Sequence, residues 1–187
     1  TLSSGYLPFM AGDYNFKVTP TGQNDPIVID VDAFIDGNTD YTIAAGGFLA
    51  DIAPYVYVDD NTIDENAARV RFIHLSPDAP TVDIFANDGM MPLFDAVSFS
   101  ESGGYQSVAG GTYDLDVRLD SNGQSVLSVP DVALQNGFVY TIFAMGSAAE
   151  GTLQAVVFVD AAIPAPGALA LLGVAGLCGV GRRRRTA

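Results

Sequence analysis

The stretch Tyr113-Asp114-Leu115-Asp116-Val117-Arg118-Leu119 alternates apolar and charged side chains along its whole length. Successive side chains of a β-strand point to opposite faces of the sheet, so this alternation predicts a strand with one buried and one solvated face. The turn sequence Ser121-Asn122-Gly123 follows directly. Further short apolar segments recur between turn signals throughout residues 68–160, and none of them shows a helical period. Roughly seven or eight short strands in one such unit are typical of an all-β antiparallel sandwich.

An internal repeat extends this prediction toward the N-terminus. Residues 5–47 match residues 104–146 at a constant offset of 99 positions, for example at Tyr41-Thr42-Ile43 and Tyr140-Thr141-Ile142. After a two-residue shift, Tyr57-Val58-Asp59 matches Phe158-Val159-Asp160. The partial repeat is expected to have lost strands and to present an unpaired sheet edge. We therefore expect antiparallel Ig-like β-sandwich repeats, in the following order: a partial, N-terminally truncated repeat in residues 1–60, an acidic linker in residues 61–67, and a complete repeat in residues 68–160.

The charge is distributed very unevenly along the chain. The formal net charge is −14, from 22 acidic and 8 basic residues, and four of the basic residues stand together at positions 182–185. The preceding part of the chain is therefore strongly acidic. It predicts no nucleic-acid partner, because an acidic surface repels the phosphate backbone. The single cysteine is Cys178, so the acidic part has neither a disulfide nor a thiol nucleophile.

The C-terminal residues 161–187 combine three features in order. A proline motif, Pro164-Ala165-Pro166, precedes an uncharged apolar run over residues 167–181, and Arg182, Arg183, Arg184 and Arg185 follow. A short C-terminal helix over the apolar run would be about 22 Å long, against a hydrocarbon core of about 30 Å. The arginines would stay on the cytoplasmic side of the membrane. A permanent membrane anchor and a buried core helix are the alternatives, although four terminal arginines fit a core helix poorly.

This order resembles the PEP-CTERM sorting signal of Gram-negative bacteria, with Ala165 in place of the glutamate that gives the motif its name. The resemblance implies transient anchoring of the chain in the inner membrane, recognition by an exosortase and cleavage near the proline motif. It also implies release or re-attachment at the cell surface. A cleavable signal peptide should accompany such a tail. The chain opens with Thr1, so we expect a fragment or a trimmed chain.

A second resemblance starts from Arg69-Val70-Arg71-Phe72-Ile73-His74-Leu75-Ser76-Pro77-Asp78-Ala79-Pro80, followed by Val82-Asp83-Ile84. This block resembles the DUF4397 family, as do the later Gly110-Gly111-Thr112-Tyr113 and Tyr140-Thr141-Ile142. The resemblance covers residues 68–160 in full and about residues 5–60 in part. It implies a β-sandwich, tandem repetition and export from a bacterial cell. It implies no chemistry, because the function of the family is unknown.

Within that block, His74, Ser76 and Asp78 are the candidates for hydrolase chemistry. A serine nucleophile needs a base within hydrogen-bond reach, and the base needs an orienting partner. No nucleophile-elbow motif surrounds Ser76, so we expect no catalytic residues and no enzyme activity. Instead, short polar side chains are expected to bind nearby backbone amides while prolines fix the corner of a rigid turn. The residues of this structural motif are His74, Ser76, Pro77, Asp78 and Pro80.

Calcium is the only cofactor for which the residues offer a hypothesis, and no other cofactor is expected. Asp59, Asp60, Asp64 and Glu65 lie in or beside the linker and would supply carboxylate oxygens for an ion that bridges the two repeats. A second oxygen-rich segment, Asp36-Gly37-Asn38-Thr39-Asp40, lacks the closing glutamate of a calcium loop and is interpreted as a solvated turn.

The expected function follows from the tail and the repeats together. We expect a non-catalytic exported protein of the cell surface or extracellular matrix with a structural or adhesive role. A carbohydrate-binding module in the same location is the alternative, since flat aromatic faces such as those of Tyr55 and Tyr57 suit sugar rings. The expected partners are an exosortase, then extracellular polysaccharide or other surface proteins, with membrane contact through residues 167–181 before processing.

Overall fold

The computed structural model describes residues 5–87 and 89–163. This part of the chain is all-β and contains no helix long and apolar enough to cross a membrane. The predicted sorting signal and the predicted short C-terminal helix lie outside the described residues. They comprise Pro164, Ala165, Pro166, the apolar run of residues 167–181 and the four terminal arginines. The described part forms twelve strands: β1 (Gly12–Val18), β2 (Ile29–Ile35), β3 (Asp40–Gly46), β4 (Ala53–Asp59), β5 (Ala68–His74), β6 (Val82–Ala86), β7 (Met91–Val97), β8 (Ser102–Val108), β9 (Gly111–Leu119), β10 (Ser125–Leu134), β11 (Phe138–Met145) and β12 (Gln154–Ala162).

Strands β5 to β12 form a β-sandwich-like unit from two four-stranded sheets, in the orders β10-β9-β6-β7 and β12-β11-β5-β8. The alternating segment 113–119 lies in β9, where Leu115 and Val117 are buried in the hydrophobic core. The prediction of an all-β fold with mostly antiparallel sheets is therefore confirmed. Both sheets contribute side chains to this core, among them Val70, Phe72, Val82, Ile84, Phe94, Leu134, Tyr140 and Ile142.

One strand pairing differs from the antiparallel prediction. Strand β11 runs parallel to β5, with Tyr140 opposite Val70 and Ile142 opposite Phe72. All other pairings between the described strands are antiparallel. Alternation of side chains predicts that a segment is a strand, but it does not predict which distant strand lies beside it.

Strand β5 is buried on both faces. Val70 and Phe72 point into the sandwich core, whereas Arg71 and Ile73 point to the opposite face and are still only 1% and 0% exposed. The hairpin of β3 and β4 covers this second face. Residues of the first repeat are therefore packed directly on the sandwich of the second.

Strands β1 to β4 reproduce the second half of that sandwich. β1 pairs with β2 and β3 pairs with β4, as β9 pairs with β10 and β11 with β12. The registers agree with the sequence repeat, since Thr42 lies opposite Tyr57 and Thr141 lies opposite Phe158. In the second repeat β9 and β11 also pair with β6 and β5, but β1 and β3 have no further strand neighbour among the described residues.

Candidate functional site at the junction of the two repeats

The junction consists of the face of β3 and β4 that packs on the outer face of β5, β11 and β12. Ile73, Leu75 and Phe143 are buried there. The Tyr57 hydroxyl donates a hydrogen bond to the Ser100 carbonyl oxygen at 2.9 Å, and burial raises the pKa of Tyr57 to about 12. The two tyrosines considered for sugar stacking, Tyr55 and Tyr57, are thus packed between the repeats, together with Ala44, Met145 and Phe158.

A single guanidinium stands at the centre of the junction. The alternation of β5 places Arg71 on the face opposite the sandwich core, directly beside Thr141 of β11. Its Nε and Nη2 atoms both donate to Thr141 Oγ1, at 3.0 and 2.9 Å. These contacts hold the planar group in one orientation, with its remaining donors aimed at the first repeat.

Arg71 is also the main polar link to the first repeat. Nη1 forms an ion pair with Asp59 Oδ1 at 2.7 Å, although its N–H does not point at that oxygen well enough to count as a hydrogen bond. Nη2 donates to Thr42 Oγ1 at 3.2 Å, and Nη1 donates to the Val58 carbonyl oxygen at 3.4 Å. The side chains of Arg71 and Asp59 are 2% and 0% exposed. Water therefore screens this pair little.

The surroundings of the guanidinium have an approximate internal symmetry. Thr42 donates to Asp59 at 2.8 Å in the first repeat, and Thr141 donates to Asp160 at 2.5 Å in the second. These four residues occupy equivalent positions in the sequence repeat. The described part of the first repeat has no arginine that is equivalent to Arg71. The two buried carboxylates of Asp59 and Asp160 therefore share one cation, and Asp160 Oδ2 lies 4.0 Å from Nη2 of Arg71.

Asp160 titrates differently from an exposed carboxyl group, mainly because it is buried in this cluster. Burial raises the pKa of its carboxyl group, and the negative charge of Asp59 adds to the rise. The hydrogen bond from Thr141 and the charge of Arg71 act in the opposite direction. Tyr6 reaches the same cluster and donates to Asp59 Oδ2 at 2.5 Å, and burial together with this carboxylate raises the pKa of its hydroxyl.

A second arginine flanks the cluster nearer to solvent. Arg69 pairs with Asp60 at 2.7 Å, and the hydrogen bonds from Arg69 and Thr62 lower the pKa of the Asp60 carboxyl group. The guanidinium carbons of Arg69 and Arg71 each lie 4.9 Å from the centre of the Tyr105 ring. Both guanidinium groups are therefore held against this ring by cation–π attraction.

The four acids of the calcium hypothesis do not come together in the described part of the chain. Asp59 is not an exposed linker residue, because it ends β4 and its side chain is buried against Arg71. Asp60 is held by Arg69, and Asp64 accepts a hydrogen bond from the Asn66 amide. Glu65 is exposed. Among the described residues, a group of three acids lies at a different place, where carboxylate oxygens of Asp83, Asp95 and Asp120 are within 4.8 Å of one another.

The end of β5 and the turn that follows it contain His74 and Ser76, two of the residues considered for hydrolase chemistry. His74 accepts a hydrogen bond at Nδ1 from the Ser76 amide at 3.2 Å, and its Nε2 lies 3.1 Å from the Pro80 carbonyl oxygen. The carbonyl oxygen requires a proton on Nε2, so the ring is the neutral Nε2–H tautomer. Burial lowers the pKa of His74 and favours this neutral form. The Ser76 hydroxyl donates to Asp78 Oδ1 at 3.4 Å instead of to the imidazole.

Asp78 is the strongest acceptor of this turn. Its carboxylate accepts from the Ser147 hydroxyl at 2.7 Å and from the amides of Ala148 and Ala149 at 2.8 and 3.0 Å. These three hydrogen bonds lower the pKa of Asp78 to about 2. Pro77 lies beside the same loop and lines a cleft there. The arrangement fastens the turn after β5 to the loop between β11 and β12.

The cleft has a volume of about 320 Å³ and lies between equivalent loops of the two repeats. Gly47 and Gly146 occupy matching positions with φ values of 101° and 96°, in the left-handed region that favours glycine. The wall also carries the half-exposed ring of Phe48 and the polar side chains of Ser147, Glu150 and Thr152.

Sequence reasoning missed the central residue of this site. Arg71, Thr42, Thr141 and Asp160 were not predicted to act together, although the repeat relates the two threonines and also Asp59 and Asp160. The available signal was a charged residue in the middle of an apolar strand, at a position where both faces of β5 are buried.

Residues 2–85 and 68–174 each match the family described as "Domain of unknown function (DUF4397)". A similar solved structure is the C-terminal domain of AlgF from P. aeruginosa, with 21% sequence identity and a TM-score of 0.41, over 50% of this chain and 98% of that chain. No curated protein matches the chain. Because the two family matches together extend over most of the sequence, the protein belongs to the DUF4397 family.

Proposed function

We propose that this protein is a non-catalytic structural or adhesive component of the cell surface or extracellular matrix. The observation that carries the proposal is the buried Arg71–Asp59 ion pair, which joins two β-sheet repeats face to face. A buried pair with directional partners permits few relative orientations. Two repeats joined in this way form a stiff spacer, which suits a structural role outside the cell.

The turn that carries the family motif supports a non-catalytic role. The Ser76 hydroxyl is bound to Asp78, and the imidazole of His74 is bound to backbone groups at both nitrogens. The Asp78 carboxylate that accepts from Ser76 has a pKa of about 2, so it is too weak a base to take the proton of the hydroxyl near pH 7. If a hydrolytic activity were detected, His74→Ala and Ser76→Ala variants would test it. Loss of the activity in both variants would contradict the proposal.

Export and sorting are the second part of the proposal. The proline motif, the apolar run of residues 167–181 and Arg182–185 support transient insertion in the inner membrane of a Gram-negative bacterium, followed by exosortase cleavage. The test is the intact mass of the protein recovered from the surface and the medium of its own cells. A mass that lacks everything after about residue 166 supports sorting. A mass that retains the four arginines contradicts cleavage and favours a permanent anchor.

A carbohydrate-binding module is the alternative function, and the cleft is the feature that favours it. Phe48 is 49% exposed at the wall of the cleft, near Ser147 and Glu150. An aromatic face beside hydroxyl and carboxylate groups is chemically suited to a sugar. A glycan array tests this function, with Phe48→Ala as the variant and Leu49→Ala, which is 75% exposed, as the control. Binding that Phe48→Ala abolishes and Leu49→Ala preserves would favour the alternative.

A further inference from the structure

The last strand of the described part of the chain is held at its very end. β12 ends at Ala162, which lies opposite Phe138 of β11. The amide of the next residue, Ile163, donates a hydrogen bond to the Gly137 carbonyl oxygen at 3.0 Å. The chain is therefore fixed in the second repeat up to the residue that precedes the proline motif.

The side chain of Ile163 adds a second contact with the same glycine. A Cβ atom on Gly137 would lie 2.3 Å from Ile163 Cδ1, so the isoleucine fills the space beside the glycine. Gly137 is itself fixed, because its amide donates to the carbonyl oxygens of Asp64 and Ala67 at 2.9 and 3.0 Å. The Ile163–Gly137 contact therefore fastens the end of β12 to the loop before β11 and to the linker.

This contact is adjacent in the sequence to the site of the proposed cleavage. Pro164, Ala165 and Pro166 alone separate Ile163 from the apolar run, which begins at Gly167. Even a fully extended chain covers at most about 14 Å from Ile163 to Gly167. Proteolytic enzymes bind residues on both sides of the bond that they break, and they prefer exposed backbone outside secondary structure. An enzyme that acts at the proline motif therefore needs residues that the fold holds at the end of β12.

We propose that the Ile163–Gly137 contact controls the rate of sorting, because cleavage at the proline motif proceeds only while the end of β12 is detached. This inference rests on the sorting proposed above and adds how the fold regulates it. In the step itself one peptide bond breaks, and on release its carbonyl carbon gains the hydroxyl group of water while its nitrogen gains the proton. Strand ends open without global unfolding, and when opening is fast the rate of cleavage follows the population of the open form.

The test follows cleavage of the full chain in its own cells, by pulse labelling and intact mass. Gly137→Ala places a methyl group where the Ile163 side chain lies, and Gly137 is outside the cleaved segment, so the motif that the enzyme reads is unchanged. Cleavage should become about threefold to tenfold faster, the factor that corresponds to one lost hydrogen bond. Gly123→Ala is the matched control, because its φ of 71° imposes similar backbone strain and nothing lies within 4 Å of its Cβ. Its cleavage rate should equal that of the parent chain.

A second change frees the motif without weakening the contact. A Gly-Ser-Gly-Ser insert between Ile163 and Pro164 lets the enzyme bind the motif while β12 remains complete. Cleavage should again be faster than in the parent chain, and adding Gly137→Ala to the insert should produce no further increase. Hydrogen exchange of the purified uncleaved Gly137→Ala chain should show faster exchange at Ile163 and unchanged protection in β5. If β5 also loses protection, the variant is globally destabilised and the insert alone decides.

Three results would overturn the proposal. They are an unchanged cleavage rate in Gly137→Ala although Ile163 exchanges faster, an insert that does not accelerate cleavage, and an equal effect of Gly137→Ala with and without the insert. Cleavage of the parent chain with no effect of any variant would refute control by the Ile163–Gly137 contact and leave sorting intact. If no chain is cleaved, sorting itself is refuted, and this inference with it.

Discussion

Replacing Arg71 by methionine is expected to destabilise the protein by about 3–5 kcal/mol. The substitution leaves the carboxylates of Asp59 and Asp160, whose side chains are 0% and 9% exposed, without a neighbouring cation. Methionine retains much of the aliphatic volume of arginine, so the loss reports mainly the missing charge. For a chain of this length, the corresponding fall in the thermal midpoint is roughly 6–20 °C.

Urea unfolding followed by far-UV circular dichroism measures this loss, since the chain contains no tryptophan. Arg69→Met is the matched control. Arg69 pairs with Asp60, whose side chain is 54% exposed, so Arg69→Met should lower the free energy of unfolding by less than about 1 kcal/mol. The loss of stability in Asp59→Asn should lie between those of the two arginine variants, at about 1–3 kcal/mol, because Arg71 keeps Asp160 as a partner at 4.0 Å.

The double variant Arg71→Met/Asp59→Asn separates an ion pair from two independent sites. Removing the carboxylate together with the guanidinium eliminates one uncompensated charge, so the double variant should be more stable than the sum of the single losses predicts. A double variant that loses the full sum would refute the coupling. An Arg71→Met variant that loses no more than Arg69→Met would refute the importance of the buried pair altogether.

Three further predictions concern the turn after β5 and the loop to which it is fastened. His74 is the only histidine, and its pKa in the folded protein is below the ordinary value of 6.5, so the unfolded chain takes up the proton first. The free energy of unfolding should therefore fall as the pH drops below about 6.5. In urea titrations, His74→Gln should reduce this dependence of the unfolding free energy on pH. Asp78→Ala should lower the thermal midpoint at pH 7, and because the folded pKa of Asp78 is about 2, the difference from the parent protein should shrink as the pH falls from about 4 toward 2. Gly146→Ala should cost more than about 2 kcal/mol, because its Cβ would lie 2.2 Å from the Thr152 carbonyl oxygen at a φ of 96°. Gly151→Ala, at a φ of 64° with nothing within 4 Å, should cost only about 1 kcal/mol, and equal losses would contradict the steric argument.

Local patterns in the sequence were sufficient to predict strands in the described part of the chain. The alternation of residues 113–119 corresponds to β9, and the turn at Asn122 and Gly123 separates it from β10. The repeat with its offset of 99 positions corresponds to the equivalence of β1–β4 and β9–β12, including the two-residue difference before β4. Period and turn chemistry act over a few residues, so they can be read from one chain.

The junction could not be predicted in this way, because it depends on contacts between distant segments. Thr42, Asp59, Arg71 and Asp160 come from four different strands, and their approach requires both the parallel pairing of β5 with β11 and the packing of one repeat on another. The acidic sequence around Asp59 suggested a ligand for calcium, but its carboxylate is buried against Arg71 where the hairpin packs on β5.

The polar cluster fixes the register of the junction, which its apolar contacts alone do not. Side chains repeat along a strand every two residues, so an apolar face alone tolerates a slip of two residues with little loss. Such a slip of the β3–β4 hairpin on β5 would place Asp40 or Ala44 where Thr42 now meets Arg71, and it would separate Asp59 of β4 from the guanidinium. A buried carboxylate without its cation is costly, so only one register remains favourable. A stiff spacer with a defined distance between its ends needs such a junction, and the proposed structural role therefore depends more on the geometry that Arg71 imposes than on the stability that it adds.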